Sequence, residues 1–202
     1  MDKIPIVLAS ASPRRRQLLA LLEIPFTTAS ADVDEGPQDN ESPQAIVRRL
    51  SQTKAQAVAQ NHNPALIIAA DTIVVLEGCI LGKPTDSAQA VTILKRLRGR
   101  AHTVYSGLVV LDSRSGHIVS ELAKTTVWMR FYHDVEIERY VASGDPLDKA
   151  GAYAIQHSQF APVARVKGCY ANVMGLPLCH LYRALLKMGL SLPHNPMRAC
   201  QS

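Results

Sequence analysis

The chain has 202 residues, 47% hydrophobic and 19% charged, which is the composition of an ordinary globular protein long enough to bury a sizeable core and excludes a disordered one. Its 22 basic and 17 acidic residues leave a formal charge of +5, yet no long basic run and no aromatic-interleaved basic patch accompanies them, which argues against a nucleic-acid polymer as partner. Four cysteines (Cys79, Cys169, Cys179, Cys200) form no CxxC pair, the opening apolar run is too short for a signal peptide, and no stretch has the length of a membrane span. A zinc site, a disulfide framework and a membrane are therefore not expected, and a reducing cytoplasm is the expected setting.

Ile4 to Ser10 reads as a buried first strand. Ser12 is placed to cap the next helix and Pro13 suits its first turn, so Arg14, Arg15 and Arg16 fall at a helix N-terminus. Three cations there are poor local electrostatics unless an anion binds, shared between free backbone N–H groups and guanidinium groups. Phe26 to Ser30 is a short strand candidate, followed by the acidic stretch Asp32-Val33-Asp34-Glu35-Gly36 and a loop over 37–40. Ser42-Pro43 starts a second helix to about Gln60, with Arg48, Arg49 and Lys54 on its polar positions.

Ala65 to Ala70 is an apolar run ending in Asp71, read as a central strand with the aspartate at its mouth. Glu77-Gly78 is a hairpin turn between Thr72 to Leu76 and Ile80-Leu81, closed by Gly82-Lys83-Pro84. A third helix spans Asp86 to Arg98 and stops at Gly99, two long strands cover His102 to Leu111 and His117 to Val127, and a fourth helix covers His133 to Ser143. Pro162 to Val166 is strand-like, a last helix runs from Pro177 to about Met188, and 191–202 reads as a loose tail behind a single domain over 1–190.

Asp71 is suited to bind Mg²⁺ or orient a water for attack on phosphorus; a strand-end carboxylate capping backbone N–H groups is the simpler alternative. Lys83 would supply positive charge to phosphate oxygens, and Glu35, with Asp32 and Asp34 beside it, a second carboxylate. The Asp148-Lys149 pair is equally explained as a local ion pair, and Gly151 suggests close backbone packing. No GxxxxGK[ST] run is present, the seven histidines lack metal spacing, Ser10 and Ser12 lack the G-x-S-x-G context of a serine hydrolase, and Trp128, Tyr132, Tyr140 and Tyr182 read as packing residues.

Five segments in order, Leu8-Ala9-Ser10-Ala11-Ser12-Pro13-Arg14-Arg15, Ala70-Asp71-Thr72-Ile73-Val74, Gly82-Lys83-Pro84, Leu147 to Gln156 and Val173-Met174-Gly175-Leu176-Pro177, resemble the Maf family of nucleotide pyrophosphatases, over Ile4 to about Leu186. The resemblance implies an elongated α/β molecule with a mixed sheet, similar to inosine triphosphate pyrophosphatases, whose two lobes enclose a deep cleft. It implies hydrolysis of a nucleoside triphosphate to the monophosphate and pyrophosphate, with Mg²⁺ or Mn²⁺ as the working ion and often a homodimer. Asp71 matches the family's catalytic base or metal ligand; Glu35, Lys54 and Lys83 match its other charged residues; Ser10, Arg14 and Arg15 match the phosphate-handling helix start. Lys149 lies in one of the matching segments, as a substrate-binding candidate.

Arg14, Thr72 and Gln156 fall where the family sets substrate preference, in a pattern similar to the branch that prefers dTTP and UTP. A glutamine amide both donates and accepts, which suits a uracil or thymine edge. The chain departs from the family afterwards, with His157-Ser158-Gln159-Phe160-Ala161-Pro162 in place of a glycine-rich turn. In the implied mechanism Glu35 and Asp71 bind the ion, Asp71 activates a water directly or through it, Lys54 and Lys83 stabilise the phosphate oxygens, and water attacks the α-phosphorus. Two other readings are a pyrophosphatase for modified or methylated nucleotides and a nucleotide-binding regulator of cell division.

Overall fold

The computed structural model describes residues 4–30, 32–36, 38 and 41–192. One seven-stranded mixed sheet runs through it in the order β2-β1-β3-β5-β6-β7, with β4 paired to β3 off that path. Its strands are β1 (Ile6–Ala9), β2 (Thr27–Ala29), β3 (Leu66–Leu76), β4 (Cys79–Leu81), β5 (Ala101–Asp112), β6 (Ile118–Met129) and β7 (Val163–Lys167). Among the described residues six α-helices accompany them: α1 (Pro13–Ala20), α2 (Pro43–Ala59), α3 (Ser87–Leu97), α4 (Asp134–Ala142), α5 (Tyr170–Val173) and α6 (Leu178–Lys187). None of the described helices is long and apolar enough to cross a membrane.

The chain divides into two compact units, the first built from residues up to Asp71, from Ser106–Ala123 and from Cys169 onward, the second from Thr72–Tyr105 and Lys124–Gly168. Strands β3, β5 and β6 each contribute residues to both.

In the first unit β1 pairs in parallel with β2 and with β3, Ile6–Leu8 facing Leu66–Ile68. The apolar runs of β1 and β3 are buried on both faces, as parallel strands covered by helices must be. One face, with Leu8, Leu66 and Ile68, packs against Leu18, Leu19 and Leu22 of the α1 segment and Leu181, Ala184 and Leu185 of α6. The other, with Val7, Ile67 and Ala69, packs against Ala55 and Val58 of α2. Ser12 and Ser42 cap α1 and α2 through their side chains, each with proline following.

At Gly107 of β5 a Cβ would lie 2.1 Å from the carbonyl oxygen of Val47 and 2.5 Å from its carbonyl carbon. Helix α2 thus rests its backbone directly on the strand, and only glycine leaves room for it.

In the second unit β3 turns through Glu77-Gly78 into β4, with Val74 facing Leu81. Helices α3 and α4 pack together, and Tyr132, fully buried, donates its hydroxyl to the Leu94 carbonyl. β6 pairs antiparallel with β7, Trp128 facing Arg165.

One expectation changes. Asp71 does not end a strand: β3 continues through it to Leu76, because the parallel pairing to β1 gives way to antiparallel pairing with β4 on the same strand. Leu192 lies against the first unit's core, and the remainder of the expected tail, from residue 193, lies outside the described residues.

Candidate active site

The first unit assembles a cluster of opposite charges. Apolar neighbours hold the backbone of Asp71, and its carboxylate is nearly buried, so it needs a cationic partner. That partner is Lys54 of α2, whose ammonium lies 2.7 Å from Asp71 Oδ1 and 2.6 Å from Glu35 Oε1. Lys54 is therefore not a solvated polar-face residue: two turns beyond Val47, it sits on the side of α2 that meets the sheet, and its side chain is only 14% exposed.

Glu35 is brought in by a loop whose anchors were not legible beforehand. Arg49 of α2 donates to Glu41 through two nitrogens at 2.7 Å each and to the Gly36 carbonyl at 3.0 Å. Asp34 accepts the Gly36 N–H at 2.8 Å, so it shapes the loop, while Glu35 is the acidic residue that reaches the cluster. A planar guanidinium gripping a carboxylate at two points fixes orientation as well as charge.

The start of α1 completes the group. Arg15 donates from Nε to the Gly175 carbonyl at 2.8 Å and from Nη1 to Ser10 Oγ at 3.4 Å, which joins the first and last of the five sequence segments. Burial lowers the Arg15 pKa from its ordinary value; Asp71 and Glu35 act against that and Arg14 adds to it, so all three charges are felt at this guanidinium. The expected free N–H groups at the helix start are largely used. Pro13 has none, the Arg15 N–H goes to Ser12 Oγ and the Arg16 N–H to the Ser12 carbonyl. The Ser12 N–H donates to Ser10 Oγ at 3.2 Å, so side chains are the polar groups this helix start has to offer.

The second unit carries the other candidates. Lys83 is exposed after β4, and the Gly151 N–H donates to the Gly82 carbonyl at 3.0 Å, joining two motifs. Gly151 has φ 74° and faces Val74 so closely that a Cβ would lie 3.1 Å from it. Thr72 is half-buried in β3 and Gln156 is exposed in a turn. Lys149 is buried, and its ammonium donates to Asp145 Oδ1 at 3.0 Å, Asp148 Oδ1 at 2.6 Å and the Asp145 carbonyl, one acceptor for each of its three protons.

The His157 to Pro162 segment is pinned from beneath. Phe160 stacks on Tyr140 with centroids 4.4 Å apart, and Arg130 donates to the carbonyls of Phe160 and Ala161 at 2.6 and 2.9 Å. The Arg130 guanidinium also holds the Glu136 carboxyl down to about 2.

His102 of β5 is buried, with Nε2 2.7 Å from Tyr153 Oη and Nδ1 without a partner. Burial pushes its pKa from 6.5 down to about 4. Between those values the unfolded chain binds a proton that the folded one refuses, so stability falls as pH is lowered through that window. The expected loss from this residue is about 3 kcal/mol. Urea unfolding at the two ends of the window should show His102→Gln losing less stability than the parent by about that amount; equal losses would contradict it.

Two carboxylates sharing one cationic centre suit a hard divalent ion, since Mg²⁺ is held by one or two carboxylates together with substrate phosphates rather than by an all-protein cage. Among the described residues no group of three or more His, Cys, Asp or Glu forms such a cage.

A buried carboxylate–lysine pair, a second carboxylate and an arginine-rich helix start bring to one place of an α/β fold the charges that phosphate chemistry calls on. The chain is a member of the Maf-like protein family, whose model matches residues 5–188. It is 46% identical over 188 residues to the dTTP/UTP pyrophosphatase of Dictyoglomus turgidum (strain DSM 6724 / Z-1310), covering 93% of this chain and 97% of that one. It is 48% identical over 192 residues to the dTTP/UTP pyrophosphatase of Myxococcus xanthus (strain DK1622), covering 95% and 96%. Among solved structures it is similar to a nucleoside-triphosphatase, dITP/XTP pyrophosphatase, from Mycobacterium abscessus, with 17% identity, TM-score 0.42, and coverage of 62% of this chain and 74% of that one.

Proposed function

We propose that this protein hydrolyses a pyrimidine nucleoside triphosphate, dTTP or UTP, to the monophosphate and pyrophosphate. The observation that carries the reading is the Lys54 ammonium bridging Asp71 and Glu35 within the field of Arg15. Family membership and the printed activity of the relatives support it.

A water oxygen attacks the α-phosphorus, its proton passes to Asp71, and the bond from that phosphorus to the bridging oxygen breaks, releasing pyrophosphate. Lys54 and Lys83 stabilise charge on the phosphate oxygens, and Arg14, Arg15 and Ser10 hold the anion. Asp71 and Glu35 are the residues that would hold a divalent ion, which would supply charge neutralisation and acidify a water. Arg14, Thr72 and Gln156 select the nucleotide, the Gln156 amide pairing with a base edge that both donates and accepts.

The test is pyrophosphate release with Mg²⁺ or Mn²⁺ across dTTP, UTP, CTP, GTP, ATP and methylated GTP. The expected result is preference for dTTP and UTP. Preference for the methylated nucleotide would replace the substrate and keep the chemistry, whereas binding of triphosphate without turnover would overturn the enzyme reading.

A further inference from the structure

We infer that Tyr140 is a specificity-determining positioning residue, acting through the backbone on Gln156. Its side chain holds the Gln156 segment on both sides. On the near side the Ala154 N–H donates to Tyr140 Oη at 3.0 Å, two residues before Gln156. On the far side the His157 ring, next in sequence to Gln156, meets the Tyr140 ring edge-on at 4.7 Å. The Phe160 ring stacks on the same tyrosine, and the Phe160 N–H donates to His157 Nδ1 at 2.9 Å, which fixes that ring just past the turn carrying Gln156; the turn itself is closed by the His157 N–H on the Ala154 carbonyl at 3.2 Å. One rigid aromatic in helix α4 therefore sets where an exposed glutamine begins and ends its turn.

The tyrosine is itself held. Its hydroxyl donates to Asp145 Oδ2 at 2.7 Å, and Asp145 Oδ1 accepts from Lys149 Nζ at 3.0 Å. Lys149, Asp145, Tyr140 and Ala154 form one hydrogen-bonded line, which spends the lysine's charge on orienting the tyrosine. Burial works against the Asp145 carboxylate, but the Tyr140 and Lys149 hydrogen bonds keep its pKa below the ordinary value, so the line stays intact at neutral pH. Lys149 thus acts as a positioning residue at the start of the line rather than as a phosphate ligand.

The phenyl ring alone would keep the packing, because the stacking on Phe160 and His157 needs no hydroxyl. What the hydroxyl adds is a fixed height for the Ala154 backbone, and a base-reading amide displaced by a fraction of an ångström loses its paired hydrogen bonds while the phosphate chemistry, carried by Asp71, Lys54 and Lys83, continues. The inference rests on the reading of Gln156 as the base-selecting residue.

The experiment compares kcat and KM for dTTP and CTP in the full-length parent, Tyr140→Phe, Asp145→Ala, Gln156→Ala and the Tyr140→Phe/Gln156→Ala double variant, with thermal unfolding to check folding. The expected result is a roughly tenfold fall in the dTTP-over-CTP preference in Tyr140→Phe and Asp145→Ala, expressed in KM, and no additional fall when Tyr140→Phe is placed in the Gln156→Ala background. An equal loss on both nucleotides would reduce Tyr140 to a structural part and overturn the inference. So would an unchanged preference in Tyr140→Phe beside a lost one in Gln156→Ala, which leaves the proposed substrate reading standing. A preference that survives Gln156→Ala would sink the reading of Gln156 as the base-selecting residue, and the inference with it.

Discussion

Asp71→Asn is expected to lower pyrophosphate release by at least roughly 10³-fold, the combined size of losing a positioned proton acceptor and a charged metal ligand. Asparagine has nearly the same shape and keeps an oxygen facing Lys54, so packing within β3 is preserved. Removing one member of a buried ion pair ordinarily strands the other at a cost of several kcal/mol. Here Lys54 keeps Glu35 at 2.6 Å, so the cost should be nearer 1–2 kcal/mol, and the protein should remain folded at room temperature.

The same substitution removes one negative charge from a group that already holds Arg15, Arg14 and Lys54. Triphosphate binding measured in chelator, where chemistry is silent, is therefore expected to be as tight as in the parent or tighter. That combination, bound but unturned, separates a catalytic aspartate from a structural one. Activity within tenfold of the parent would move the proton acceptor to another residue.

The site was legible in the sequence wherever chemistry is written in residue type, and illegible where it depends on what the chain folds back upon. Asp71 stood out as a carboxylate closing an apolar run, but the run does not close: the change from parallel to antiparallel pairing within β3 leaves no mark in hydrophobic pattern. Lys54 could be carried over from the family pattern, yet its local pattern gave a polar face, because a lysine on a mostly polar helix looks the same whether it meets water or a buried carboxylate. Arg15 and Gly175 lie 160 positions apart, and no local signal joins them. Arg49 falls with Arg48 and Lys54 among the polar positions of α2; its role follows from a loop it grips eight positions back, at Glu41, and further back at Gly36. Capped helices, by contrast, announced themselves, since Ser12-Pro13 and Ser42-Pro43 place an oxygen and a fixed φ where the first turn needs them.

Gly107 is the residue that sequence alone gave least reason to name, and its substitution should have the second large effect. A methyl group there would meet the Val47 carbonyl oxygen at 2.1 Å, the carbonyl carbon at 2.5 Å and Ser51 Oγ at 2.8 Å. The first two are helix backbone, which cannot swing aside as a side-chain tip can, so Gly107→Ala must push α2 off the sheet or distort β5. Overpacking of this kind costs about 3 kcal/mol, which in a chain of this size lowers Tm by roughly 6–12 °C. The displacement also carries function with it. Lys54 lies two helical turns beyond Val47, and Arg49 between them anchors the Glu35 loop, so the helix that moves is the one that carries Lys54, the partner of Asp71, and anchors the loop bearing Glu35. The expected outcome in Gly107→Ala is a fall in kcat/KM of at least tenfold on every nucleotide alike, below the melting transition, with the preference among bases unchanged. That pattern is the opposite of the one expected for Tyr140, and finding full activity with an unaltered Tm would mean that α2 does not bear on β5 as closely as its backbone contact indicates.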